Sequence, residues 1–110
     1  MNIQSVHQAR LIAALEDAAN NPSRHRGVWL STMDVADTAK IARRTASLWL
    51  FRLHQAGITL KEDAFPGPLW ALNDTPETAK LVQLAQATVA RYAARDAARN
   101  NPLKKQVHVA

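Results

Sequence analysis

A chain of 110 residues, 47% of them hydrophobic and 21% charged, has room for one domain with a modest core and not for two. It carries no cysteine, which excludes disulfides and thiolate metal sites, and no apolar run approaches the roughly 20 residues of a membrane span. The net charge of +5 is uneven: residues 23–61 hold seven basic against two acidic side chains and residues 79–110 six against one, while residues 62–78 hold four acids and no base. Clustered positive charge is the footprint of a partner that is itself negative, such as a phosphate backbone. Charge alone fits equally a basic protein without such a partner. The first residues lack the basic start and apolar block of a signal peptide, so the cytoplasm is the expected compartment.

Ser5-Val6-His7-Gln8 has the capping-box pattern and predicts a first helix to about Asn20, with Leu11, Ile12, Leu15, Ala18 and Ala19 on one face. Asn20-Asn21-Pro22-Ser23 stops that helix, and Arg24-His25-Arg26-Gly27 makes a basic loop. Val28-Trp29-Leu30 is a short strand candidate, after which Ser31 or Thr32 caps the next helix. Two helical patterns follow, Asp34–Ala39 and Arg43–Ala56, with only Lys40-Ile41-Ala42 between them. In the second, Ala46, Trp49, Leu50 and Leu53 recur at three- and four-residue steps, and Gly57 stands where a left-handed C-cap needs it. Ile58–Lys61 and Leu69–Leu72 are β-prone runs around a Pro66-Gly67-Pro68 corner and predict a hairpin. Thr75-Pro76-Glu77 then supplies an N-cap, a proline at N1 and an acid in the first turn. That last helix is expected to run to about Asn100, with Leu81, Leu84, Ala85, Val89 and Tyr92 as its stripe and Val82 at one edge. Residues 101–110 are left as a basic tail, expected to be disordered.

Two helices joined by a tight turn, the second longer and basic at its start, form a helix-turn-helix. Asp34-Val35-Ala36, Ile41, Ala42, Arg43-Arg44 and Thr45, followed by Leu50, Leu53, Gly57 and Ile58, resemble the motif of winged helix-turn-helix regulators. The hairpin after the second helix corresponds to the wing. The resemblance implies a mainly α fold with a small β-sheet (α+β), ordered α-β-α-α-β-β-α, with Val28–Leu30 as a third strand. The winged helix-turn-helix would occupy residues 1–74 and an added C-terminal helix residues 75–100. It further implies sequence-specific binding of double-stranded DNA by a small transcriptional regulator, a homodimer on a two-fold site.

On a helical wheel Ala46, Trp49 and Leu50 lie with Leu53 and must be core. Arg44, Leu48, Phe51 and Gln55 lie opposite, with Ser47 beside them and Arg43 and Thr45 flanking the helix start. The resemblance places that outer face in the major groove, which makes Arg43, Arg44, Thr45, Ser47, Leu48, Phe51, Arg52 and Gln55 the candidate contacts. Arginines in a first helical turn oppose the helix dipole and need another reason to be there. Arg24 and Arg26, with His25 between them, suit a phosphate backbone. Glu62 and Asp63 near the wing tip would repel one, leaving Lys61 as the wing contact. Leu48 and Phe51 depart from the polar outer face usual in the family. They fit thymine methyls, or cover by the C-terminal helix, or a partner protein. The last option would make the chain a winged-helix protein-interaction module; another reading is a DNA-binding accessory factor of replication or partition in a mobile element.

The stripe on the C-terminal helix needs a surface. The first helix offers one, within the chain or across a two-fold axis, so Leu81, Leu84, Ala85, Val89 and Tyr92 are dimerisation candidates, while Arg91, Arg95 and Arg99 read as a solvated flank. An enzyme is not expected, nor a cofactor or metal. His7, His25, His54 and His108 are scattered with no metal-ligand spacing, and Gly27, Gly57 and Gly67 make no phosphate loop. His54 is expected to be solvated or to face phosphate.

Overall fold

The structure is a computed structural model and describes residues 2–99, so the end of the last helix at Asn100 and the expected 101–110 tail lie outside the described residues. Helix α1 spans Val6–Asn20 and opens on the expected cap. Ser5 Oγ accepts from the Gln8 backbone nitrogen at 3.1 Å, and Gln8 Oε1 accepts from the Gln4 nitrogen at 2.6 Å. The reciprocal bond of the box is thus displaced one residue upstream of the N-cap. That engagement lets Gln8 be fully buried, beside Leu11, Ile12, Leu15 and Ala18. A 3-10 turn at Pro22–Arg24 leads into strand β1 (Leu30–Ser31) and helix α2 (Thr32–Ala39). Ser31 is the residue that caps α2, accepting from the Asp34 nitrogen at 3.1 Å, so the helix starts at Thr32 rather than at Asp34.

Helix α3 (Arg43–Gln55) follows a corner in which Lys40 is left-handed, with φ +57°. The Ile41 nitrogen donates to the Ala36 carbonyl at 3.0 Å, and Ile41 packs against the core. The corner so fixes the angle between the two helices through a backbone bond and an apolar contact. The end of α3 repeats the device with glycine. Gly57 has φ +80°, its nitrogen donates to His54 O at 3.0 Å, and Ile58 N donates to Leu53 O at 2.9 Å, a complete Schellman motif. Strand β2 (Thr59–Glu62) and strand β3 (Leu69–Leu72) form the hairpin, with Thr59 opposite Leu72 and Glu62 opposite Leu69. The sheet order is β1-β3-β2, all antiparallel, and β1 contributes only Leu30 opposite Trp70 and Ser31 opposite Leu69. Val28 lies outside the strand and is exposed, since the left-handed Gly27 (φ +111°) turns the chain before pairing begins.

Helix α4 (Pro76–Arg99) packs chiefly on α1 of the same chain. It starts as expected, with Thr75 Oγ1 accepting from the Thr78 nitrogen at 3.1 Å. Its buried face consists of Thr78, Leu81, Val82, Ala85 and Thr88. This corrects part of the expected dimer stripe. Leu81 and Ala85 belong to the core of the single chain, joined there by Val82, and are not available to a second copy. Leu84 is exposed, and Val89 and Tyr92 are half-buried. The core beneath combines α1, α2, α3, α4 and the sheet through Leu15, Leu30, Val35, Leu50, Leu53, Trp70 and Leu81. The architecture is a winged helix with an added C-terminal helix.

Candidate nucleic-acid interface

Ala46, Trp49, Leu50 and Leu53 are all buried, which fixes the rotation of α3 about its axis. The opposite side is therefore set by the core rather than by chance. Arg43, Arg44, Ser47, Leu48, Phe51, Arg52 and Gln55 are all exposed, and Thr45 is half-buried at the helix start. The helix has no side-chain cap at Ala42 and no acid in its first turn, so Arg43 and Arg44 face solvent with unopposed charge. Arg52 lies with its guanidinium 5.1 Å from the Trp49 ring centroid, a cation–π contact that draws it to the flank of the helix.

The wing joins α3 through three contacts that the sequence did not reveal. His54 Nδ1 donates to the Thr59 carbonyl at 3.1 Å, and its ring meets Trp70 edge-on at 6.1 Å between centroids. Thr59 Oγ1 donates to Leu50 O at 3.4 Å. A further bond ties the wing to α2, where Trp70 Nε1 donates to Thr32 Oγ1 at 3.0 Å. His54 thus braces α3 against the wing while remaining exposed to solvent as expected. Only the pairing of a helix C-terminus with a strand two turns of sequence later brings these groups together, and no local pattern announces it. Lys61, the expected wing contact, sits 6.0 Å above the Trp70 ring and 3.8 Å from Asp63 Oδ1. Its charge is partly answered within the wing. Glu62 and Asp63 are exposed beyond it, and Phe65 at the tip is 99% exposed.

The basic loop divides. His25 turns inward, with Nε2 2.7 Å from Asp17 Oδ2 and a side chain only 10% exposed. The His25 hydrogen bond holds the Asp17 carboxyl below the ordinary carboxylate range against the opposing effect of burial, helped by Asn21 Nδ2 donating at 3.1 Å. His25 therefore ties the loop to α1 and is not a backbone contact. Arg24 and Arg26, on either side of it, stay exposed and border a shallow cleft with Asp34 and Thr38 of α2. Arg24 and Arg26 therefore lie against α2, while Lys61 stands apart on the wing.

Among the described residues no group of three or more histidines and carboxylates is placed to hold a metal ion, and no helix is long and apolar enough to cross a membrane. No protein-family model and no curated protein matches the sequence. Solved structures do match in fold. The PcaV transcriptional regulator from Streptomyces coelicolor, solved with its natural ligand, superimposes with a TM-score of 0.56 at 19% identity, over 90% of this chain and 67% of that one. The transcriptional regulator PA4135 gives 0.53 at 17% identity, over 96% and 71%. The MarR family transcription regulator SP03579 gives 0.50 at 14% identity, over 90% and 62%. The chain has the winged helix-turn-helix fold of these transcriptional regulators.

Proposed function

We propose that this chain is a small transcriptional regulator that binds double-stranded DNA in a sequence-specific way, with α3 in the major groove. The observation that carries this reading is the outer face of α3. It bears three exposed arginines and no acid, and a buried inner face holds it rigidly. Arg44 stands on the outermost ridge near the helix N-terminus, where the bidentate contact to guanine O6 and N7 is made. Arg43, Arg24 and Arg26 hold phosphates, with Ser47 and Thr45 as short donors. The role is non-catalytic and belongs to the cytoplasm.

The same reading makes the chain a homodimer on a two-fold site. Val89 packs against the core of the single chain, but Leu84 is exposed and Tyr92 half-buried, which leaves α4 apolar surface not consumed by α1. A two-fold axis there would present two α3 helices to successive major grooves about 34 Å apart.

The test is a gel-shift series on a random 30-base-pair duplex pool between 50 and 200 mM salt. The three arginine–phosphate contacts per chain predict a slope of about −2.7 per chain in log affinity against log salt. A flat profile, or no binding at 50 mM salt, refutes the DNA reading and leaves the exposed α3 face to a protein partner.

A further inference from the structure

The outermost ridge of α3 is Arg44, Leu48, Phe51 and Gln55, all within about 40° of the direction opposite the buried Leu53. Its middle is apolar. Leu48 is 47% exposed and Phe51 55% exposed, on a helix whose core face is already filled by Ala46, Trp49, Leu50 and Leu53. The core does not use these two side chains. Nor does α4 cover them, since both side chains stay exposed and α4 packs chiefly on α1. Arg52 is drawn aside onto Trp49, which leaves Phe51 the most prominent group of its turn.

An apolar pair inside a basic rim calls for a partner that is negative overall and apolar at one point. The rim here is Arg43 and Arg44 at one end and Arg52 at the flank, with no acid on the helix. The major groove of DNA meets both requirements, because the thymine 5-methyl is the one apolar group that a base edge projects there. Leu48 and Phe51 are about 4.5 Å apart along the helix axis, little more than the rise of one base-pair step. We infer that Leu48 and Phe51 read the 5-methyl groups of thymines at adjacent base pairs, and so set a T-containing centre in the site read by each α3. Arg44, one turn toward the N-terminus, then faces a flanking guanine, and Gln55, one turn beyond, an adenine edge. This assignment rests on the DNA-binding reading above.

The experiment uses the full chain and a duplex selected from the random 30-base-pair pool. Each thymine of the selected duplex is replaced in turn by deoxyuridine, which removes the methyl and keeps every hydrogen-bonding group. Removing a buried methyl is expected to weaken binding about fourfold at one or two adjacent positions and nowhere else. Phe51→Ala and Leu48→Ala, both surface changes, should bind more weakly and each lose its discrimination at one of those positions. Circular dichroism of the variants checks that they stay folded. If the wild type binds the selected duplex but treats thymine and deoxyuridine alike at every position, the methyl-reading assignment is wrong while DNA binding stands. If no duplex is bound at 50 mM salt, both fall, and the ridge belongs to an acidic protein partner.

Discussion

Phe51 on α3 and Phe65 on the β2–β3 loop are both exposed, at 55% and 99%. Their settings differ in two respects. The helix that carries Phe51 holds three arginines and no acid, whereas the loop that carries Phe65 follows Glu62, includes Asp63, and adjoins a single lysine, Lys61 on β2, that is engaged with Asp63. Phe51 also stands on a backbone fixed from beneath by Trp49, Leu50 and Leu53, whereas residues 60–66 of the wing are exposed throughout. An exposed apolar side chain therefore says little about its partner on its own. The charge around it and the rigidity under it decide what it can meet.

The sharpest way to separate the two regions is through stability. Trp49 is 7% exposed and sits at the centre of the inward face of α3, so Trp49→Ala should cost about 3–5 kcal/mol. Phe65→Ala removes nothing from the core and should stay within about 0.5 kcal/mol of wild type. Urea denaturation measures both. A Trp49→Ala midpoint equal to that of wild type would mean that α3 is not anchored as described.

That inward face was legible in the sequence because Ala46, Trp49, Leu50 and Leu53 follow helical spacing without interruption, and the capped starts of α1 and α4 were legible from Ser5 and Thr75. The phase of α4 was harder to read. Hydropathy favours Leu84, but the structure buries Thr78 and Thr88 instead, and each threonine satisfies its hydroxyl locally. Thr88 Oγ1 donates to Leu84 O at 2.8 Å, and Thr78 Oγ1 pairs with Thr75 Oγ1 at 2.9 Å. A satisfied hydroxyl is cheap to bury, so a polar name hides a core position. The bracing of the wing by His54, Thr59 and Trp70, and the inward turn of His25 onto Asp17, were not legible for another reason. They depend on groups brought together by the turns between elements, and the spacing along the chain carries no sign of them.

The second prediction compares the two regions as DNA contacts. Arg44→Ala should weaken binding to a selected site by about 1–3 kcal/mol and relax preference at one base pair. Lys61→Ala should weaken all sequences alike and by less, because Lys61 is already shared with Asp63 and Trp70. Competition against a library of single-base variants distinguishes the two. Equal loss across the library for Arg44→Ala would make it a phosphate contact and remove it from base reading.

The smallest expected effect has the opposite sign. In the proposed complex the wing lies close to the phosphate backbone, and Glu62 and Asp63 then act against binding within a Debye length of about 10 Å at 0.1 M salt. Glu62→Gln with Asp63→Asn removes two negative charges and releases Lys61 from its 3.8 Å pairing. Both residues are exposed, so the change should leave stability unaltered. Affinity should rise for every duplex by roughly 0.5–1 kcal/mol, and the salt slope should steepen by less than one as Lys61, freed from Asp63, engages phosphate fully. Because the gain is electrostatic, it should fade at higher salt while the base preference set by α3 stays as it was. An unchanged affinity at 50 mM salt would place the wing well away from the phosphates, and the contrast between Phe51 and Phe65 would then reflect distance from the partner as well as charge.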